Sequence, residues 1–432
     1  MRLMSSSIRA ALAASLATAL SASADPPAAD PRDEAIRQTI QQQKDSAASA
    51  KERYREYRQM VRQAALEGGD WLERNQLSDG TFRYGWLPAT DEVLPGNHAL
   101  RQAGAAALLA RASVRLERPS FNRVALVAIR ALLDKTTEIN PERPDERRSS
   151  MSPSDANPVG LTALLLWAIA EVGEPSKQLD ADGELLANFL RRRQRPDGSI
   201  NVSNSLRADG DDPPQAAAYY PGEALYAVLR SHRRQPADWK LAMARKALPY
   251  YRAYWQDSPH EAFPPWMCSA FAEAYLLTGE QAFAEFVLEL ADWCLALQHL
   301  GPREIDRGWQ GGFGSFQQGQ HLATEPGITT ASFSEGLADA YRVAQKRNDS
   351  LRAQQYRRAL DNSVPFLLTL QYTPERTRHF VDAAAKRCLG GFRASLTDGT
   401  LRIDHNQHAT NALLQYLEYV AVGEAGERPR AN

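Results

Sequence analysis

The chain has 432 residues, and its 51 Lys+Arg stand against 52 Asp+Glu for a formal charge of −1. That balance provides no global field to attract nucleic acid or an acidic surface, and three cysteines are too few for a disulfide scaffold. Cys268 and Cys294 lie in amphipathic helical runs, where a buried, unpaired thiol is expected rather than a bridge.

The first element is "MRLMSSSIRAALAASLATALSASADPPAAD". Arg2 and Arg9 precede an Ala/Leu-rich core, and Ala22, Ser23 and Ala24 before Asp25 make a small-residue cleavage site, the pattern of a secretory signal over 1–24. No later apolar stretch reaches the roughly 20 residues needed to cross a bilayer, so a periplasmic or secreted protein is expected. Residues 25–51 read as a flexible or helical lead-in, 52–423 as one helical domain and 424–432 as a disordered tail.

An apolar period of 3.6 then recurs with helix cores near 53–76, 97–115, 120–137, 159–172, 180–194, 221–233, 237–255, 265–278, 281–299, 331–346, 351–371 and 405–421. Sustained alternation is absent, so strands are not expected. Four of these runs end in Gln and enter a Gly-rich turn: "WLERNQLSDGTFRYGW", "FLRRRQRPDGSI", "LALQHLGPREIDRGWQGGF" and "LLTLQYTPERTRHFVDAAAKRCLGGF". A repeat of helix, turn and helix leaves each unit with an apolar face that only a neighbour can cover. Six such hairpins result, and the second helix of each is the more apolar, as in "LTALLLWAIAEV" against the Arg191, Arg192, Arg193 run of a first helix. Helices apolar nearly all round belong inside, so an all-α ring with the second helices as its inner barrel is predicted.

With its turns at Gln76 to Gly80 and Gln194 to Gly198 and its inner-helix openings "YYPGEALYAVL" and "SEGLADAYRVA", the chain resembles the α/α toroids. Terpenoid cyclases, protein prenyltransferases and six-hairpin carbohydrate-active enzymes share that (α/α)6 barrel. The resemblance spans 53–421 and implies a cavity where the inner-helix N-termini converge. Its cyclase branch would show acidic residues around a central Asp pair, which "DADG" at 180–183 and "DGDD" at 209–212 match poorly. Its zinc-dependent branches would pair Cys with His, and no His lies near Cys268 or Cys294 in sequence.

Polar residues at the inner-helix openings are the site candidates. In "NHALRQ" and "DHNQHA", His98 and Arg101 are three apart, as are His405 and His408, with Asp404 four before His408, so each set shares a helical face. Ring closure makes them neighbours, giving proton-transfer groups or a divalent-metal seam at His98, His405 and His408; otherwise Asp404 caps its helix and the histidines bond backbone groups. Glu223 and Glu335, each placed one turn into an inner helix, are acid/base candidates, although first-turn Glu is also simply favoured by the helix dipole. Tyr219, Tyr220 and Trp266 supply a stacking wall, and Arg101 with Asp404 and His98 a polar anchor. Asp79 and Asp197 read as turn-setting residues.

The resemblance and these residues together imply an exported glycan-active enzyme working by acid/base chemistry on an oligosaccharide or uronic-acid-containing polymer. Hydrolysis, elimination and epimerisation all remain open, with a non-catalytic glycan- or protein-binding toroid or a metal-dependent toroid enzyme as alternatives. No cofactor is firmly implied, and nothing in the sequence specifies an oligomeric state.

Overall fold

The computed structural model describes residue 32 and residues 47–421, apart from 153–154, 204–213 and 304–306. Outer helices α1 (Ala47–Arg74), α3 (Pro119–Thr136), α5 (Lys177–Arg192), α7 (Asp238–Asp257), α9 (Gln281–Leu295) and α11 (Ser350–Leu370) alternate with inner helices. The inner set is α2 (Ala99–Arg115), α4 (Pro158–Glu171), α6 (Pro214–Arg234), α8 (Phe263–Thr278), α10 (Thr329–Lys346) and α14 (Ile403–Gln415), the last running into a π-turn at Tyr416–Val420. Short helices α12 (Pro374–Thr377) and α13 (Asp382–Cys388) lie in the last connection. Each inner helix packs on the next, and α14 packs on α2, so the ring closes. The chain is an (α/α)6 toroid.

Hydrophobic patterning explains the layering. Helix α4 is buried from Pro158 through Ile169, whereas α5 buries only one stripe, including Leu179, Leu186 and Leu190. Closure is reinforced outside the helices, because strand β1 (Gly85–Leu87) pairs antiparallel with β7 (Leu401–Arg402) through Gly85↔Arg402 and Trp86↔Leu401. Strand β2 (Glu92–Val93) completes that small sheet.

The repeated Gln turns have one structural job. Each Gln side chain donates from Nε2 to the carbonyl of the Gly in its own turn and to a carbonyl of the next outer helix. The acceptors in that helix are Val124 for Gln76 at 2.9 Å, Met243 for Gln194 at 2.9 Å, Ala359 for Gln298 at 2.8 Å and Ala64 for Gln371 at 2.8 Å. The turn glycine sits against the same helix; a Cβ on Gly198, whose φ is +97°, would lie 2.0 Å from the Lys246 carbonyl oxygen. Gln371 links the sixth outer helix to the first, and its Oε1 accepts from Arg32 at 2.7 Å. Gln371→Ala removes two buried hydrogen bonds at once, so it should lower unfolding stability by about 1–3 kcal/mol in urea titration. A loss below the error of that measurement would mean the staple is dispensable.

Three expectations need correction. Strands do occur: β3 (Thr137–Asn140) pairs with β4 (Arg143–Ser149), and β5 (Ser315–Gln317) with β6 (Gln320–Leu322). The β3–β4 hairpin lacks apolar alternation because polar side chains hold it, with Asn140 donating to Glu146 at 2.8 Å and Arg192 on α5 donating to Glu146 at 2.9 Å. Helix α6 begins at Pro214 rather than near 221, so Pro221 lies inside the helix instead of in its first turn. Consequently Glu223 and Glu335 sit more than one turn from their helix starts, beyond the main reach of the dipole. The expected signal segment, most of the lead-in, the 424–432 tail and the 209–212 acidic run lie outside the described residues.

At the end of the barrel opposite the inner-helix N-termini, charges of alternating sign follow the ring: Arg111, Glu171, Arg230, Glu273, Arg342 and Glu418. Arg230 reaches Glu171 at 2.9 Å and Glu273 at 3.5 Å, and Arg111 reaches Glu418 at 3.2 Å. Arg342 lies 4.2 Å from the centroid of Tyr419, whose hydroxyl accepts from Arg111 at 2.8 Å. Burial alone would raise the Glu273 carboxyl, but Arg230, Arg233 and Arg342 outweigh it and hold the group below the usual carboxylate range. Burying charge is tolerable here because each one is paired.

Candidate active site at the mouth of the toroid

The inner helices run parallel, so their N-terminal parts meet at one end of the barrel. Helices α6 and α8 approach closely there because Gly222 has no side chain; a Cβ would fall 2.7 Å from Cβ of Trp266. Trp266 is thereby held in the mouth, with its ring edge-on to His408 at 6.3 Å. Beneath it Trp167, Tyr226 and Trp266 form a triangle of ring centroids 5.8–5.9 Å apart.

Glu223 projects from α6 above this floor. It is 5 % exposed, and its Oε2 has no hydrogen-bond partner. Burial pushes its carboxyl up to about 8, with only partial relief from nearby His408, so the group carries its proton at neutral pH. On α14, opposite α6 in the ring, His408 places Nδ1 2.8 Å from Glu335 Oε2 on α10, while the Gln407 amide is a more distant 3.4 Å from the same nitrogen. Glu335 Oε1 accepts from Asn411 Nδ2 at 2.6 Å. Burial works against charge on His408, but Glu335 with its bond, then Asp404 and Glu223, raise the imidazole above its ordinary value. The His408 side chain is 23 % exposed, so solvent reaches it.

At the rim Arg101 meets Asp404 at 3.1 Å, and Arg402 grips the same carboxylate at 2.9 and 2.6 Å. Burial pushes Asp404 up, yet the Arg402 bond and the neighbouring cations hold it at about 2. Two guanidiniums share one carboxylate, which leaves the rim positive. Arg101 also donates to the Tyr84 hydroxyl and lies 5.6 Å from that ring's centroid. Tyr220 packs over Gly160, and Tyr219 is the exposed member of the pair at 43 %.

The sequence candidates therefore divide into two groups and two outliers. Glu223, Glu335, His408 and Trp266 meet at the centre; Arg101 and Asp404 form the rim beside Tyr220. His405 is buried and depressed to about 4 by desolvation, and burial likewise lowers His98; each leaves Nδ1 without a partner. The three histidines do not act as one cluster, since His408 turns to Glu335. Among the described residues no three His, Cys, Asp or Glu side chains converge as a metal-ligand set. Cys268, Cys294 and Cys388 are all buried and unpaired.

Asp79 and Asp197 set their turns by accepting from Thr81 and Ser199. His321 packs on Trp293 and Phe316, while Glu325 accepts from Ser395 and Thr397. Sequence reading missed Asn411 and Arg402. Asn411 was accessible through its i+3 spacing from His408 on one helical face.

No protein-family model matches this sequence, and no curated protein matches it. Several solved structures share the fold. Cellobiose 2-epimerase from Bacillus thermoamylovorans B4167 superposes with a TM-score of 0.61 at 11% identity, over 85% of this chain and 100% of that one. Unsaturated glucuronyl hydrolase from Bacillus sp. GL1, which is responsible for glycosaminoglycan degradation, gives 0.57 at 16% identity over 84% and 100%. An inactive variant of the GH76A α-1,6-mannanase of Salegentibacter sp. HEL1_6, in complex with α-1,6-mannotriose, gives 0.56 at 11% identity over 83% and 99%. At these identities the likeness establishes the toroid.

Proposed function

We propose that this protein is an exported glycan-active enzyme that uses acid/base chemistry in the mouth of its toroid on an oligosaccharide or uronic-acid-containing polymer. The observation that carries the reading is a protonated, unpartnered carboxyl group, Glu223, facing a carboxylate-paired imidazole, His408, on the opposite inner helix. Glu223 serves as the acid and His408, through Nε2, as the base; Glu335 acts on the substrate only through His408. Trp266, Tyr219 and Tyr220 stack on sugar rings, and Arg101 with Arg402 receives a sugar carboxylate, with Asp404 and His98 fixing the rim. Support also comes from the fold's neighbours, which include a mannanase, an epimerase and a glucuronyl hydrolase.

Glu335 is thus moved from direct acid/base duty to a supporting one. Proton transfer is preferred over a divalent metal at His98, His405 and His408, because among the described residues these side chains do not converge as a ligand set. Export to the periplasm or medium rests on the 1–24 pattern, and no described helix is long and apolar enough to cross a membrane.

The test is a thermal-shift screen of the purified protein against neutral and uronate-containing oligosaccharides, followed by turnover assays on those that bind. Uronates should raise the melting temperature more than neutral sugars, since ligand bound only to the folded state stabilises it by mass action. If sugars bind and none is ever converted, the toroid is a binding module and the enzyme reading is wrong.

A further inference from the structure

A continuous chain of directional hydrogen bonds runs from the charged ring at the closed end of the barrel up to the imidazole in its mouth. Arg111 on α2 is 4 % exposed. Its Nη2 donates to Glu418 and to the Tyr419 hydroxyl, and its Nη1 donates to Asn411 Oδ1 at 2.9 Å. A guanidinium can only donate, so the Asn411 carbonyl oxygen must face Arg111 and its amide NH2 must face away. That NH2 donates to Glu335 Oε1 at 2.6 Å, and an NH2 group can only be received by an acceptor. In its ionised form Glu335 then accepts at Oε2 from His408 Nδ1, 2.8 Å away. Arg111 fixes the direction of the first two bonds, and the Asn411 donation favours the ionised, acceptor-only form of Glu335, which fixes the third.

We propose that Asn411, oriented by Arg111, is a positioning residue that holds Glu335 as a pure acceptor and thereby fixes His408 as the Nδ1–H tautomer, with Nε2 free toward the mouth. This deepens the proposed function, on which its catalytic meaning rests, while the tautomer itself is a property of the free protein. Free imidazole prefers the opposite tautomer, so the environment must impose this one. The groups that face His408 are Glu335 on α10, Glu223 on α6, the Trp266 ring on α8, and Gln407 and Asp404 on α14 itself. Of these, Glu335 is the one bonded to Nδ1 at short range. Asn411 is 5 % exposed, and its amide reaches the site by the bond to Glu335.

The experiment is ¹⁵N NMR of the His408 side chain in the full, ligand-free protein, assigned with His408→Gln, at a pH where the ring is neutral. The wild type should show Nδ1 protonated and Nε2 bare, with an Nδ1–H proton resonance protected from exchange. Asn411→Asp keeps the shape and the Arg111 contact but places a second acceptor against Glu335 Oε1. The two carboxylates must then share a proton or Glu335 must turn away, and the Nδ1–H resonance should be lost or exchange at least about tenfold faster. Asn411→Leu removes the donor without adding charge and should shift the ring toward the tautomer mixture of free histidine. It also serves if the Asp variant does not fold. An unchanged His408 tautomer and exchange rate in a folded Asn411 variant would overturn the proposal. The readout needs no substrate, so a protein that converts no sugar yet shows the tautomer change would sink the enzyme reading and leave this one standing.

Discussion

Replacing Glu223 by glutamine is expected to lower turnover about 10²- to 10⁴-fold while leaving substrate affinity nearly unchanged, because the amide keeps the shape of the carboxylic acid and loses its transferable proton. The same substitution should alter stability in a pH-dependent way. The folded-state carboxyl is raised from 4.5 to about 8, so the folded protein holds this proton more tightly than the unfolded chain does. Its contribution to stability is therefore complete below about pH 4.5 and is lost as the pH rises through about 8. Glu223→Gln should match the wild type near pH 5 and exceed it at pH 9, by on the order of 4 kcal/mol at about 1.4 kcal/mol per pH unit. Urea unfolding at the two pH values measures the difference directly. Wild-type turnover together with a flat stability difference would make Glu223 an ordinary buried side chain.

The second large effect lies at the other end of the barrel. Glu273 is 1 % exposed and is bonded by both Arg230 and Arg233, so Glu273→Leu leaves Arg233 without its counter-charge and Arg230 with Glu171 alone. Breaking a buried pair from one side costs about 3–5 kcal/mol, and the lower figure applies here because Arg233 remains partly exposed. The double change Glu273→Leu with Arg233→Leu should recover a substantial part of the loss, since Arg230 keeps Glu171 at 2.9 Å and no charge is then left unpaired. In the wild type this carboxyl is held low, so its stabilisation is present at neutral pH and disappears as the pH falls below the unfolded value of 4.5. A single-mutant cost under about 1 kcal/mol would show that water reaches these charges freely.

Much of the architecture is legible in the amino-acid order. Helix count, hairpin pairing and the inner or outer place of each helix follow from apolar periodicity, because a helix like α4, apolar on all sides, has no stable place at the surface. The Gln-to-Gly turns were visible as a repeat, but their two-way stapling was not, since the second acceptor lies about 50 or more residues away in three cases and across the chain ends in the fourth. The seam of Arg101 with Asp404 could be anticipated from ring closure alone.

What the sequence by itself determined is the toroid, and with it the set of polar residues that must share one mouth. Only the tertiary structure decided their roles. Helical spacing puts His98, Arg101, His405 and His408 on particular faces, but it does not say that His408 turns to Glu335 while His405 is buried and neutral. Nor does spacing show that Glu223 is left without a partner, which is what sets its proton affinity. The physical reason is that hydrophobic periodicity is a local property repeated along the chain. Desolvation and hydrogen-bond partnership depend on side chains brought from α2, α6, α10 and α14, and those distances exist only once the ring has closed.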